Sequence, residues 1–138
     1  MIVVDTSGLL AAIDSSQRRH ESSRQALESD SGPLLLSPFI LAELDYLLST
    51  RVGVDAEALL LNDVAEGAYR LENFGPEDVR AATEVIERYR ELGIGLADAS
   101  IVVIAARADT NRILTLDERH FRAIQPLRGQ PFQLLPKD

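Results

Sequence analysis

Three short apolar runs without helical period constrain this chain most: Ile2-Val3-Val4, Leu34-Leu35-Leu36 and Ile113-Leu114-Thr115-Leu116. A strand with one wet face alternates polar and apolar residues. A continuous apolar run belongs to a strand covered on both faces. Tyr69-Arg70-Leu71 is read as a further strand, and Phe132-Gln133-Leu134-Leu135 as an edge strand, since Pro131 before it suits an edge. Helical segments separate these runs, so the sheet is parallel, joined by right-handed crossovers. The expectation is a three-layer α/β/α fold of four to five strands and about seven helices, one domain over residues 1–138.

Local signals place the helices. Leu9–Ile13 is a short one, after the turn-forming Asp5-Thr6-Ser7-Gly8, and His20–Ser29 a polar one. Ser37 as N-cap and Pro38 in the first turn start a helix running to Arg51. Gly53 ends it, and Asp55 is expected to cap the next, reaching Glu66. Pro76 opens a charged amphipathic helix expected to reach Leu92, where Gly93-Ile94-Gly95 breaks it. Leu96–Ala108 is a buried helix, and a short helix lies around Arg119–Ala123.

In such sheets ligands bind beyond the carboxyl ends of the strands, where strand order reverses. Asp5 follows the first strand and Asp117 follows the Ile113 run, so the two face one crevice if their strands are neighbours. Two more acids sit against helical amphipathicity. Glu43 has Phe39, Ile40, Tyr46 and Leu47 at helical spacing, and Asp98 has Ile94, Ile101 and Val102. Carboxylates on apolar faces are paired or bind a cation. Each also has a plainer role: Asp5 and Asp117 as helix caps, Asp98 as a favourable charge in a first turn, Glu43 as a partner of Arg51 or Arg119. Glu57 passes the same burial test but follows no strand, and is read as a rim or interface residue.

The chain has no cysteine, which excludes disulfides, iron–sulfur clusters, thiolate zinc and a cysteine nucleophile. Its only histidines, His20 and His120, make no His-rich metal motif. A site built from carboxylates alone selects Mg²⁺ or Mn²⁺. Three or four acids are best used by two ions about 4 Å apart, the geometry of phosphodiester cleavage. Other acid chemistries fit worse. A phosphoacceptor receiver domain needs a Lys after its last strand, and the only Lys is Lys137. A haloacid-dehalogenase-like phosphatase needs Asp at position 7, which is Ser. Gly-x-Ser-x-Gly, P-loop and dinucleotide fingerprints are absent.

The net charge of −8 opposes unspecific nucleic-acid binding, so cations that touch phosphate must be local. Lys137 stands beside 13 Arg, the side chain suited to bidentate phosphate contacts. With no basic n-region or long apolar segment, neither a leader nor a membrane span is expected, and the default compartment is the cytoplasm.

Four segments together resemble the PIN-domain ribonucleases, and more narrowly the VapC toxins of bacterial VapBC toxin–antitoxin pairs, with a mycobacterial look. They are Val3–Leu10, Ser37-Pro38 with Glu43-Leu44, Gly95–Ala99, and Ile113–Asp117 with Phe121. The resemblance spans about Ile2 to Leu135. It implies metal ligands at Asp5, Glu43, Asp98 and Asp117, with Thr6, Ser7 and Thr115 supporting ligands or water. It further implies Mg²⁺ or Mn²⁺ as cofactor, a homodimer, a VapB-type antitoxin lying in the active-site groove, and cleavage of structured tRNA- or rRNA-class RNA. Candidate RNA-binding cations are Arg18, Arg19 and His20, Arg51, Arg112, and Arg119, His120 and Arg122. The alternative from another class is a catalytically weak binding subunit whose acidic groove accepts a basic partner peptide.

Overall fold

A computed structural model describes all residues 1–138. Strands β1 (Ile2–Val4), β2 (Leu34–Leu36), β3 (Arg70–Leu71), β4 (Arg112–Leu114) and β5 (Gln133–Leu135) form one sheet in the order β3-β2-β1-β4-β5. Every pairing is parallel. The chain builds outward from β1 to β3, then returns to the other side of β1 with β4. The order therefore reverses between β1 and β4, where Val3 pairs with Ile113 and Val4 with Leu114.

The helices are α1 (Thr6–Ile13), α2 (His20–Ser29), α3 (Pro38–Arg51), α4 (Val54–Ala65), α5 (Pro76–Arg88), α6 (Leu96–Ala108) and α7 (Glu118–Ala123). The central strands β1, β2 and β4 are buried because helices cover both faces. Val3, Val4, Leu35, Leu36, Ile113 and Leu114 are fully inaccessible, packed with Leu9, Ile40, Leu44, Leu48, Ile101 and Ile104.

Several boundaries differ from the sequence reading. Helix α1 begins at Thr6 rather than Leu9, so the turn-forming residues are its first turn. Helix α4 is capped by Gly53, whose φ of 144° only glycine adopts without strain, and Asp55 lies inside the helix. Helix α5 stops at Arg88, and Arg90–Leu92 tighten into a 3-10 turn ended by left-handed Gly93. Strand β4 is paired over Arg112–Leu114, starting one residue and ending two residues earlier than read, which leaves Leu116 to line the crevice wall.

Two contacts fix the helices around the switch point. A Cβ on Gly8 would lie 2.4 Å from the carbonyl oxygen of Leu114, so only glycine lets α1 lie against the end of β4. Buried Ser37 Oγ and Ser100 Oγ are 2.7 Å apart. Ser100 donates its hydrogen to the Ala97 carbonyl, so Ser37 donates to Ser100 while accepting from the Phe39 N–H. That chain joins the start of α3 to α6, the helices that carry Glu43 and Asp98.

Candidate functional site

The carboxyl ends of β1 and β4 open into a cleft of about 470 Å³. Asp5, Glu43, Asp98 and Asp117 all line it, with Thr6 and Ser7, while Leu10, Gln17, Leu47, Leu116 and Arg51 complete its walls. Four segments far apart in sequence thus present their acids to one space.

Asp5 is the most enclosed, at 5% exposed. It occupies the N-cap position of α1, but its side chain makes no cap bond. Instead Thr115 Oγ1 donates to Asp5 Oδ2 at 2.6 Å and Ser7 Oγ donates to the same oxygen at 3.1 Å. Ser7 Oγ accepts from the Leu116 N–H and Thr115 Oγ1 from the Asp117 N–H, both at 2.9 Å. Each hydroxyl has one hydrogen, and both are spent on Asp5, so the 3.2 Å approach of Ser7 to Thr115 is proximity rather than a bond. Burial, opposed by the Thr115 hydroxyl and helped by the charge of Asp98, pushes the Asp5 carboxyl up to about 6.

Asp98 lies in the first turn of α6, as an acid favoured by the helix dipole should. Burial raises its pKa, the His120 ring opposes that, and the Asp117 and Glu43 charges add to it. Asp117 divides its two oxygens: Oδ1 caps α7 by accepting from the His120 N–H at 3.0 Å, and Oδ2 lies 3.0 Å from His120 Nδ1. His120 Nδ1 is also 3.0 Å from Asp98 Oδ2. The three donor atoms of Asp98, Asp117 and His120 lie within 4.8 Å of one another.

Glu43 differs from expectation by being exposed. The buried stripe of α3 is Ile40, Leu44 and Leu48. Glu43, Leu47 and Arg51, four apart, form the neighbouring stripe that faces the cleft. Neither Arg51 nor Arg119 forms an ion pair with it. Glu57 lies outside the cleft, on α4, its carboxyl pushed up by the adjacent Asp45 carboxyl.

The cations separate by position. Arg51 lines the cleft. Arg18 and Arg19 line an adjoining hollow with Thr115, Leu116 and Lys137. Arg119 is exposed and unpaired. Arg122 is held by Asp138 and Glu118. Arg112 opens β4 at the amino end of the strand, away from the cleft, and is salt-bridged to Asp30. His20 pins α2 to α1 through the Ala11 carbonyl, 2.9 Å away. Sequence reasoning missed Gln17 as a wall residue and took His120 only as a local cation. The available signal for His120 was its place three residues after Asp117, on the same helical face.

A cluster of carboxylate oxygens with one imidazole nitrogen fits a divalent cation. Thr6 also lines the cleft, and its buried Oγ1 is one of the few polar side-chain atoms in the protein without a hydrogen-bond partner.

Residues 2–125 match the PIN domain family, so the fold and its acid-lined switch-point cleft are those of a PIN-domain protein. The chain is 43% identical over 135 residues to ribonuclease VapC26 of Mycobacterium tuberculosis, covering 98% of this chain and 100% of that protein. It belongs to the VapC ribonucleases of the PIN-domain family. Its fold is also that of the VapC20 toxin of M. tuberculosis, described as cleaving the sarcin–ricin loop, with a TM-score of 0.81 at 21% identity over 94% of this chain and 100% of that one. A toxin–antitoxin complex from Klebsiella pneumoniae contains a chain matching with TM-score 0.69 at 19% identity, over 96% and 99% of the two chains.

Proposed function

We propose that this protein is a divalent-metal-dependent endoribonuclease, the toxin of a type II toxin–antitoxin pair, acting on structured RNA of the tRNA or rRNA class. The observation that carries the reading is the convergence of Asp5, Glu43, Asp98 and Asp117 on one cleft at the β1/β4 switch point. Asp5 and Asp98 would share the ions, Glu43 would complete the first site and Asp117 would assist the second, with Mg²⁺ or Mn²⁺ as cofactor. When bound, the ions supply a nucleophilic water at neutral pH and offset charge at the leaving 3′ oxygen. Ser7 and Thr115 hold the Asp5 carboxylate in one orientation before substrate arrives. Arg51 within the cleft and Arg18 and Arg19 beside it would receive RNA phosphates.

The same acid groove accepts a basic segment of a VapB-type antitoxin in this reading, and the toxin works as a cytoplasmic homodimer, residues 1–138 acting as one unit. The solved complex of a similar toxin with its antitoxin supports the pairing. No helix is long and apolar enough to cross a membrane.

The test is cleavage of purified tRNA and rRNA by the purified chain with Mg²⁺, with chelator, and as Asp98→Asn. Cleavage requires metal and vanishes in Asp98→Asn, whose melting temperature equals or exceeds that of the wild type because one of several crowded like charges is gone. A metal-bound, folded protein without RNA cleavage would favour the binding-subunit alternative. Cleavage that survives chelation or Asp98→Asn would sink the proposal. End-mapping of cellular RNA after induced expression identifies the target.

A further inference from the structure

The His120 ring is spent on the acids of the cleft, its Nδ1 joining α7 to Asp98 of α6, and not on the capping of its own helix. The capping of Asp117 is performed by its backbone N–H. Its neighbour Phe121 anchors α7 in the core, edge-on to Phe132 with centroids 6.2 Å apart. That anchoring leaves position 120 aimed between Asp98 and Asp117, its side chain 19% exposed. Nδ1 lies 3.0 Å from one carboxylate oxygen of each. Donors in adjacent positions around an octahedral ion with bonds of ~2.1 Å are separated by ~3 Å. The nitrogen therefore stands, relative to each acid, where a co-ligand stands.

We propose that His120 is a metal ligand through Nδ1, joining Asp98 and Asp117 in a mixed nitrogen–oxygen set that favours Mn²⁺ over Mg²⁺. The inference rests on the metal-dependent reading above and specifies its ion. Mg²⁺ demands a near-ideal oxygen shell and gains little from imidazole. A first-row transition ion gains more from nitrogen, and Mn²⁺ is the one that also suits carboxylates. Without an ion the same 3.0 Å contact lets Nδ1–H donate to Asp98; ligation replaces that hydrogen bond and requires the tautomer in which Nε2 keeps the hydrogen and Nδ1 presents its lone pair. Thr6 lines the cleft that Asp98 and Asp117 line, and its buried Oγ1 has no hydrogen-bond partner within the protein.

The test is direct binding of each ion to the purified protein without RNA, by loss of the free Mn²⁺ electron-resonance signal and by calorimetry for Mg²⁺. Wild type, His120→Ala, His120→Asn and Asp98→Asn are compared, with folding checked by circular dichroism. The expected result is a ~10-fold or greater loss of Mn²⁺ affinity in both His120 variants, with Mg²⁺ affinity held within ~2-fold. Unchanged Mn²⁺ affinity, or equal loss for both ions, overturns the proposal. In either case the metal-dependent reading still stands if the wild type binds ions and Asp98→Asn does not. A wild type that binds neither ion overturns both.

Discussion

Asp5 sits where ionisation is expensive: burial lifts its carboxyl from the 3.8 of a free side chain to about 6, although two hydroxyls solvate one oxygen. Below 3.8 it is protonated in both the folded and unfolded chain. As pH rises through about 6 the folded protein must accept the charge, and the stability held at low pH is lost. The gap corresponds to about 3 kcal/mol. Metal-free protein should therefore melt higher at about pH 5 than at about pH 7.5, and Asp5→Asn should flatten the difference. A melting curve series in chelator checks this, and an unchanged pH slope in Asp5→Asn would assign the effect to other groups. Among single residues, Asp5 and Asp117 were legible because an acid after a buried apolar run marks a strand's carboxyl end. Asp98 was legible as a charge at the start of an apolar helix. Glu43 was found for an incomplete reason, since its stripe adjoins the buried one rather than coinciding with it. His120 was not legible as a neighbour of Asp98, because that contact depends on where α6 and α7 pass each other.

At the scale of elements, α1 and β4 approach so closely that the site's halves share backbone contacts. Gly8→Ala places a methyl group 2.4 Å from the Leu114 carbonyl oxygen, inside any permitted contact. The expected loss is ~1–3 kcal/mol in urea unfolding, as for other overpacked positions. It should also part Ser7 from Leu116, so activity falls further than stability alone dictates. An alanine variant with wild-type stability would show that α1 can slide along β4. The Ser37–Ser100 pair plays the corresponding part between α3 and α6. Element types were legible throughout, since each apolar run and helix start has a local cause. Boundaries were not where two causes compete: Asp55 and Gly53 can each cap α4, and the backbone freedom of glycine decides it.

For the molecule as a whole, a net charge of −8 concentrates attention on what compensates the cleft. Arg51 is the only cation lining it, against four acids. A flexible basic segment of a partner protein would supply the rest, with Arg preferred for its bidentate fit to carboxylates. Its affinity is expected to fall as salt rises, and to fall again in Asp98→Asn. Titration of the purified pair at low and high salt decides this, and equal affinities in all conditions would place inhibition outside the groove. That β1 and β4 are neighbours stood only as a condition in the sequence, because no local signal says on which side of β1 the chain returns. That return has a consequence in time. Asp5 emerges early from the ribosome and Asp117 late, and Thr115 between them is still pinned from the far side by the Leu135 carbonyl. The four acids cannot meet until nearly the entire chain has been translated. A chain that stops short of Thr115 lacks Asp117 and one of the two hydroxyls that hold Asp5, so the four-acid cleft is completed only late in synthesis.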